Sequence, residues 1–190
     1  MNKKYENYIT LLKEKLDDYR FQHSLCVAEK AVELSEIYGA DKERAYLAGL
    51  LHDITKNFSD NEQLQFFSSS AIMLSSVEKI SPKVWHAISG AEYIKNTLGI
   101  TDNEVIDAVR YHTTARADMS LLEKIVYIAD FTSRDRKYPD VDVLRNIVSN
   151  NLEDGIIYAL RHTIVTLGGK NIPIHPDTLD AYNYLLINKK

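Results

Sequence analysis

Apolar residues recur at helical spacing along almost the whole chain, and this periodicity restricts the fold more than any other feature. Near the start, Tyr8, Leu11 and Leu12 follow one another at the spacing of one helix face, and Leu25 and Ala28 begin a second such series. No stretch alternates polar and apolar residues over the length of a β-strand. The sequence therefore predicts an all-α protein built as a helical bundle.

Residues that favour helix ends divide this pattern into segments. Three segments have the form of a capping box, Ser59 to Glu62, Thr101 to Glu104 and Ser120 to Glu123, and each predicts a helix start. Glycines such as Gly39 and Gly99 predict helix ends. The predicted helices span about 5–16, 21–38, 41–56, 59–70, 81–99, 101–112, 120–132, 141–167 and 178–187.

Length and composition exclude several classes of protein. The 190 residues favour one domain, 1–190, and no run approaches the ~20 apolar residues of a membrane helix. The charged, amphipathic start does not resemble a signal peptide, so we expect a cytoplasmic protein with no membrane partner. The net charge of −4 gives no basic face for duplex nucleic acid. The single cysteine, Cys26, excludes an internal disulfide and leaves nitrogen and oxygen as metal ligands.

The adjacent pair His52 and Asp53 stands in an apolar stretch of the third predicted helix. Burying an imidazole and a carboxylate costs several kcal/mol unless something compensates, and a divalent cation bound by both groups does so directly. We therefore interpret both residues as metal ligands. The alternative is a hydrogen-bonded core histidine beside a local capping aspartate, and this pair alone does not decide between the two interpretations.

Four further residues with metal-ligating side chains fall on other predicted helices, which suggests one shared pocket at the centre of the bundle. A first ion would be held by His23, His52, Asp53 and Asp130. Asp53 would bridge to a second ion held by His86 and His112. This mixture of imidazoles and carboxylates suits iron, manganese or zinc better than magnesium or calcium. Two such ions can activate a water molecule as the nucleophile of a hydrolysis, so no serine or cysteine nucleophile is needed.

The same residues carry a resemblance to a known family. The order His23, His52-Asp53, Asp130 resembles the HD-domain metal-dependent phosphohydrolases, and His86 and His112 resemble the dinuclear branch of that superfamily. Five segments are similar to the bacterial YqeK-type family of symmetrical dinucleoside tetraphosphatases. They are Arg20 to Ser24, His52 to Lys56, Arg110 to Thr114, Met119 to Lys124 and Ile172 to Thr178.

The resemblance implies an enzyme that cuts diadenosine tetraphosphate into two nucleoside diphosphates. It favours iron as the metal, with manganese, cobalt or zinc as alternatives, and it suggests a homodimer. It also implies a metal-site core over about 19–135, followed by C-terminal helices and a nucleoside-binding loop over about 140–187. Other enzymatic readings are a related nucleotidase or a cyclic-dinucleotide phosphodiesterase, because one HD scaffold hosts several reactions. A reading from another class is a catalytically silent nucleotide sensor.

Catalytic roles are expected for Asp53, Lys56 and Arg136. Lys56 follows His52 by one turn and would neutralise phosphate oxygens, or else it is a surface lysine at a helix end. The family pattern supports Arg136 but leaves Arg134 as an alternative, and His162 is interpreted as structural. The expected substrate contacts are Arg20, Ser24, Asp53, Ile54, Thr55, Lys56, His86, His112, Thr113, Arg136, Ile172, Pro173, Ile174, His175, Pro176 and Asp177. For Ser24 and Thr113 a local capping role is an equal alternative.

Overall fold

The protein is all-α, as the helical periodicity predicts. A computed structural model describes residues 3–189, and within that range it contains eleven α-helices, two short 3-10 helices and no β-strand. The α-helices are α1 (Glu6–Lys15), α2 (Asp18–Tyr38), α3 (Lys42–Leu51), α4 (Asp60–Ser69), α5 (Ser76–Lys79), α6 (Trp85–Asn96), α7 (Asn103–Arg110), α8 (Leu121–Thr132), α9 (Val141–Asn150), α10 (Leu152–Gly169) and α11 (Pro176–Ile187). The 3-10 helices are Lys3–Tyr5 and Pro82–Val84.

Two of the three predicted capping boxes are present. Ser59 accepts from the backbone N–H of Glu62 and Ser120 accepts from that of Glu123, and in each box the glutamate side chain bonds back to the capping residue. The box predicted at Thr101 is wrong, because α7 begins one residue later than predicted and the side chain of Asp102 caps it by accepting from the Glu104 backbone N–H.

One further capping box was not predicted from the sequence. Ser75 and Glu78 form a capping box at the one-turn helix α5, which is too short to show apolar periodicity.

Two predicted helices are longer than the structure allows. The third helix, expected to run through His52 and Asp53 to Lys56, ends at Leu51. Tighter i→i−3 hydrogen bonds follow it, from Ile54 N to Leu51 O and from Lys56 N to Asp53 O. The metal-site pair therefore lies at a helix end and in the turn after it. Similarly, α7 ends at Arg110, before His112.

The helix predicted over 141–167 is two helices, α9 and α10. Asn151 between them has extended backbone, with φ −151° and ψ 115°, and its side chain accepts from the Asp154 backbone N–H. An asparagine can cap a helix in this way because its short side chain competes with the backbone ladder. Apolar spacing continues across the break, which is why periodicity alone did not reveal it.

The long helix α2 packs against both α3 and α8, which brings the metal-site residues together. Its residues Val27, Ala28 and Ala31 are fully buried. The helices α2 and α3 approach closely at Gly49: a Cβ atom there would lie 2.9 Å from the Cα atom of Ala28. The helix α10 packs against α8, α9 and α11. No helix within residues 3–189 has the length and apolar character needed to cross a bilayer.

Candidate metal centre

All six predicted ligands converge at one place in the bundle. His23 comes from α2, His86 from α6 and Asp130 from α8, whereas His52, Asp53 and His112 come from the turns that follow α3 and α7. The four histidines and Asp53 are buried, and the side chain of Asp130 is 17% exposed. Separated parts of the chain thus bring four imidazoles and two carboxylates into contact.

The first group consists of His23, His52 and Asp130, whose ligand atoms all lie within 4.8 Å of one another. The Nε2 atom of His23 is 2.9 Å from Oδ1 of Asp130, and Nε2 of His52 is 4.0 Å from the same oxygen. Asp53 approaches this group through Oδ2, which is 3.6 Å from Nε2 of His52. This is the arrangement expected of the first predicted ion site.

The second group forms around the other carboxylate oxygen of Asp53. Oδ1 of Asp53 is 3.2 Å from Nε2 of His86 and 3.6 Å from Nε2 of His112. The two Nε2 atoms are 3.1 Å apart. Because the two oxygens of Asp53 face different histidines, its carboxylate has the geometry of a bridge between two sites.

Backbone carbonyls fix the protonation of two rings. Nδ1 of His52 lies 2.7 Å from the carbonyl oxygen of Gly49, and Nδ1 of His112 lies 2.7 Å from that of Val109. A carbonyl only accepts, so Nδ1 carries the proton in both rings and Nε2 presents a lone pair to the centre. Nδ1 of His23 is 2.7 Å from Oδ2 of Asp135, a carboxylate that orients this ring in the same way.

The donor set fits a divalent cation. Nε2 of His52 is buried and has no hydrogen-bond partner in the described part of the chain, a costly condition for a polar atom. Nε2 of His112 faces Nε2 of His86 with its lone pair, as expected where a cation is shared. Imidazole nitrogen and carboxylate oxygen are ligands for the transition metals named above.

Burial keeps His52 and His86 neutral and therefore able to bind metal. It lowers the pKa of His52 to about 3 and that of His86 to about 4. Burial alone would raise the pKa of Asp53, but the neighbouring His52, His112 and His86 outweigh it and hold that pKa well below its usual value. The pKa of Asp130 is lowered in the same way, because the effects of His23 and Arg136 outweigh that of burial. Both carboxylates of the centre are therefore anionic.

Three cationic side chains border the centre. Nη1 of Arg20 is 3.2 Å from Oδ2 of Asp53, and Nζ of Lys56 is 3.7 Å from Oδ1 of Asp53 and 3.0 Å from Nε2 of His86. Burial lowers the pKa of Lys56. Arg136 donates to the Asp130 carboxylate, and its Nη2 is 3.2 Å from Nε2 of His23.

Of the two arginines left open by the sequence, Arg136 faces the centre. The side chain of Arg134 is 68% exposed and pairs with Glu29 at 2.8 Å, away from the ligands.

Among the other predicted substrate contacts, three lie beside the ligands but are enclosed. Ser24 and Ile54 are fully buried, and Oγ of Ser24 has no hydrogen-bond partner within residues 3–189. Thr55 is also buried and donates to the carbonyl of His86 at 2.9 Å, so its hydroxyl connects two elements of the centre. These positions support the ligand-bearing turn.

The C-terminal loop borders a separate cavity of about 250 Å³ beside His112. Thr113 lines this cavity together with Ile172, Pro173 and His175, whereas Ile174, Pro176 and Asp177 do not. Nδ1 of His175 accepts from the Asp177 backbone N–H at 3.2 Å, so His175 caps α11 as well as lining the cavity.

Sequence reasoning missed the residues that hold the ligands in place. Asp135, which orients His23, is 112 positions away from it in the chain. Arg145 on α9 donates to three carbonyls of the segment before α9, those of Thr132, Ser133 and Arg136, at 3.0, 2.6 and 3.1 Å. Asp135 lies in a polar bend and Arg145 is a partly exposed helical arginine, so the neighbouring sequence does not predict these contacts.

Comparisons with known proteins point to one family. A model described as HD domain matches residues 20–135. The chain is 38% identical to the symmetrical bis(5'-nucleosyl)-tetraphosphatase of Halalkalibacterium halodurans, covering 96% of this chain and 97% of the relative. It is 35% identical to the protein of the same name from Bacillus subtilis, covering 95% and 97%. A crystal structure from Clostridium acetobutylicum, described as that of a predicted HD superfamily hydrolase involved in NAD metabolism, superimposes with a TM-score of 0.95 at 34% identity, covering 97% of this chain and 98% of that one.

Proposed function

This chain belongs to the HD domain family and resembles its symmetrical bis(5'-nucleosyl)-tetraphosphatases along almost its full length, and we propose that it cuts diadenosine tetraphosphate into two molecules of ADP. Related dinucleoside polyphosphates would react in the same way. The observation that carries the proposal is the cluster of four buried histidines and two aspartates, in which the ligand nitrogen His52 Nε2 has no hydrogen-bond partner within residues 3–189. A cluster of this composition is the donor set of a metal-dependent phosphohydrolase.

We assign a first ion to His23, His52, Asp53 and Asp130, and a second to His86 and His112 with Asp53 as the shared ligand. The family resemblance favours iron, and manganese, cobalt or zinc would suit the same donors. Such ions, when bound, would neutralise charge on phosphoryl oxygens. They would also lower the pKa of a bound water molecule to about 7, so that hydroxide is available at neutral pH. The cytoplasmic location and the homodimer inferred from the sequence stay predictions.

The chain itself supplies charge compensation for the phosphates. Four phosphates bring several negative charges to a centre that already contains the anionic Asp53 and Asp130. Lys56 and Arg136 lie at the edge of that centre, 26% exposed each, where they reach both the carboxylates and an incoming phosphate. Preorganised cations of this kind stabilise the charge that develops on the leaving group.

The cavity beside His112 is suited to a nucleoside. Its walls combine apolar side chains, such as Ile172 and Pro173, with the hydroxyl of Thr113, whose Oγ1 has no partner within the described residues. Ligand cavities of proteins commonly combine an apolar lining with a few polar groups in this way. We assign one adenosine of the substrate to this cavity.

Product analysis tests the proposed reaction. Purified protein supplied with iron, manganese or cobalt in separate reactions should convert diadenosine tetraphosphate into ADP as the sole adenosine product. Equimolar ATP and AMP would contradict the symmetrical cut. Binding of the nucleotide without turnover by any of the three metals would support the silent sensor.

A further inference from the structure

A second cavity, of about 230 Å³, opens beside Asp130. Phe131, Arg136, Tyr138 and His162 line it together with Asp130 itself. It shares no lining residue with the cavity beside His112. His162, interpreted from the sequence as structural, is exposed on α10 and is available to a ligand in this cavity.

The two cavities adjoin different ligand groups, one at Asp130 and the other at the residue after His112. From His112 the contacts run through Asp53 to His52 and then to Asp130, with successive ligand atoms 3.6, 3.6 and 4.0 Å apart. The first cavity begins at Thr113, the residue after His112, and the second is walled by Asp130. A molecule that crosses the metal centre would therefore enter one cavity at each end.

The second cavity has the side chains that bind a nucleobase. The hydroxyl of Tyr138 donates to the Phe131 carbonyl at 2.7 Å, which fixes the tyrosine ring, and the Phe131 ring is held 5.2 Å from that of Tyr127. Arg136 lines the same cavity and its guanidinium contacts Asp130 and His23 of the centre. Aromatic faces and arginine planes stack on bases without strong sequence preference.

The symmetry of the substrate gives this cavity its role. Diadenosine tetraphosphate carries an adenosine at each end, and the proposed cut falls at its midpoint, so a nucleoside extends from both sides of the centre. Each cavity is smaller than the ~300–1,000 Å³ typical for a drug-sized ligand, and neither encloses the whole dinucleotide. We propose that the cavity walled by Phe131, Tyr138 and His162 binds the second nucleoside of the substrate. This inference rests on the proposed function.

Because the two products are identical, the number of ADP molecules bound per chain counts the nucleoside sites directly. Equilibrium dialysis of the metal-loaded protein should give two ADP per chain for the unsubstituted protein and one for His162→Trp, whose larger side chain fills the cavity. Val165→Trp is the matched control. It lies one turn later on α10, is 67% exposed and does not line the cavity, so it should retain two. One ADP in the unsubstituted protein, or two in His162→Trp, would overturn the proposal.

Kinetics provide a second measurement with a milder variant. His162→Ala should raise the KM for diadenosine tetraphosphate about tenfold, within the range of a lost base-stacking contact. It should leave the KM for adenosine 5'-tetraphosphate, which has the same phosphates and one nucleoside, unchanged. An equal rise for both substrates, or no rise for either, would contradict a second nucleoside site.

The two proposals fail in different ways. ADP released from the dinucleotide by a chain that binds one ADP would refute the second site alone. Two bound ADP without any release would refute the proposed reaction alone.

Discussion

The substitution Gly49→Ala should destabilise the protein although alanine is the better helix former. Gly49 lies in α3, where it faces the backbone of α2. An added Cβ atom would lie 2.9 Å from Cα of Ala28 and 3.2 Å from both N of Ala28 and O of Val27. These are backbone atoms, which cannot rotate away as the end of a side chain can, so α2 and α3 would have to separate.

Two opposing contributions set the magnitude. Replacing a helical glycine by alanine gains up to about 1 kcal/mol of helix stability. Overpacking a well-filled core costs about 1–3 kcal/mol, and a rigid backbone neighbour favours the upper part of that range. The expected net loss is about 1–2 kcal/mol in the free energy of unfolding. The carbonyl of Gly49 also accepts from His52, so the shift of α3 should reduce metal content.

Gly90→Ala is the matched control, since Gly90 is also a buried helical glycine at the metal centre. Its added Cβ atom would lie 3.5 Å from Oγ1 of Thr55 and from Cγ1 of Val109, which is ordinary contact. We expect a gain of about 0.5–1 kcal/mol for this variant. Urea unfolding of both variants without metal measures the difference. Equal stabilisation by the two substitutions would refute the reasoning from close helix approach.

Three further predictions concern the centre and its supports. His86→Ala should bind one metal ion per chain and His52→Ala none, as measured by elemental analysis of protein purified without chelator; unchanged content in His86→Ala would break the two-ion assignment. Arg145→Ala removes three hydrogen bonds to carbonyls and should lower the free energy of unfolding by about 2–3 kcal/mol, the range for a charged donor. It should also lower kcat. A variant with an unchanged urea midpoint and an unchanged kcat would contradict that role. The metal-free protein should lose stability as pH falls from 6.5 toward 4. Burial lowers the pKa of His52 and His86, so the unfolded chain binds more protons than the folded one over that range. A urea midpoint that does not change between these pH values would refute this prediction.

The helical class of the fold and the six converging ligands followed from the sequence for physical reasons. Apolar periodicity indicates which face of a helix is buried. A histidine or aspartate on that face costs free energy to bury, and this cost indicates a metal-binding role. The resemblance added what spacing does not contain, the expectation that Arg136 faces the phosphates. The structure places Arg136 at the centre and Arg134 at the surface.

The remaining features depend on contacts between distant parts of the chain. The end of α3 at Leu51 could not be predicted from periodicity, because the residues of the following turn are as buried as those of the helix. Asp135 acts through one hydrogen bond to His23, 112 positions away in the chain, and Arg145 acts through hydrogen bonds to three carbonyls of another segment. The cavity at His162 is formed by α8, the bend after it and α10. No local sequence pattern predicts how these three elements pack together.

The hydrogen bonds from the His52 and His112 rings to the carbonyls of Gly49 and Val109 have a consequence for metal loading. Each ring is fixed by a carbonyl three residues earlier, so its orientation is set as soon as the adjoining helix end forms. Burial lowers the pKa of His52 to about 3, so its Nε2 atom carries no hydrogen at neutral pH. Uptake of metal by the His52 ring should therefore liberate no hydrogen ions into solution, and the affinity that this ring contributes should vary little with acidity above pH 7.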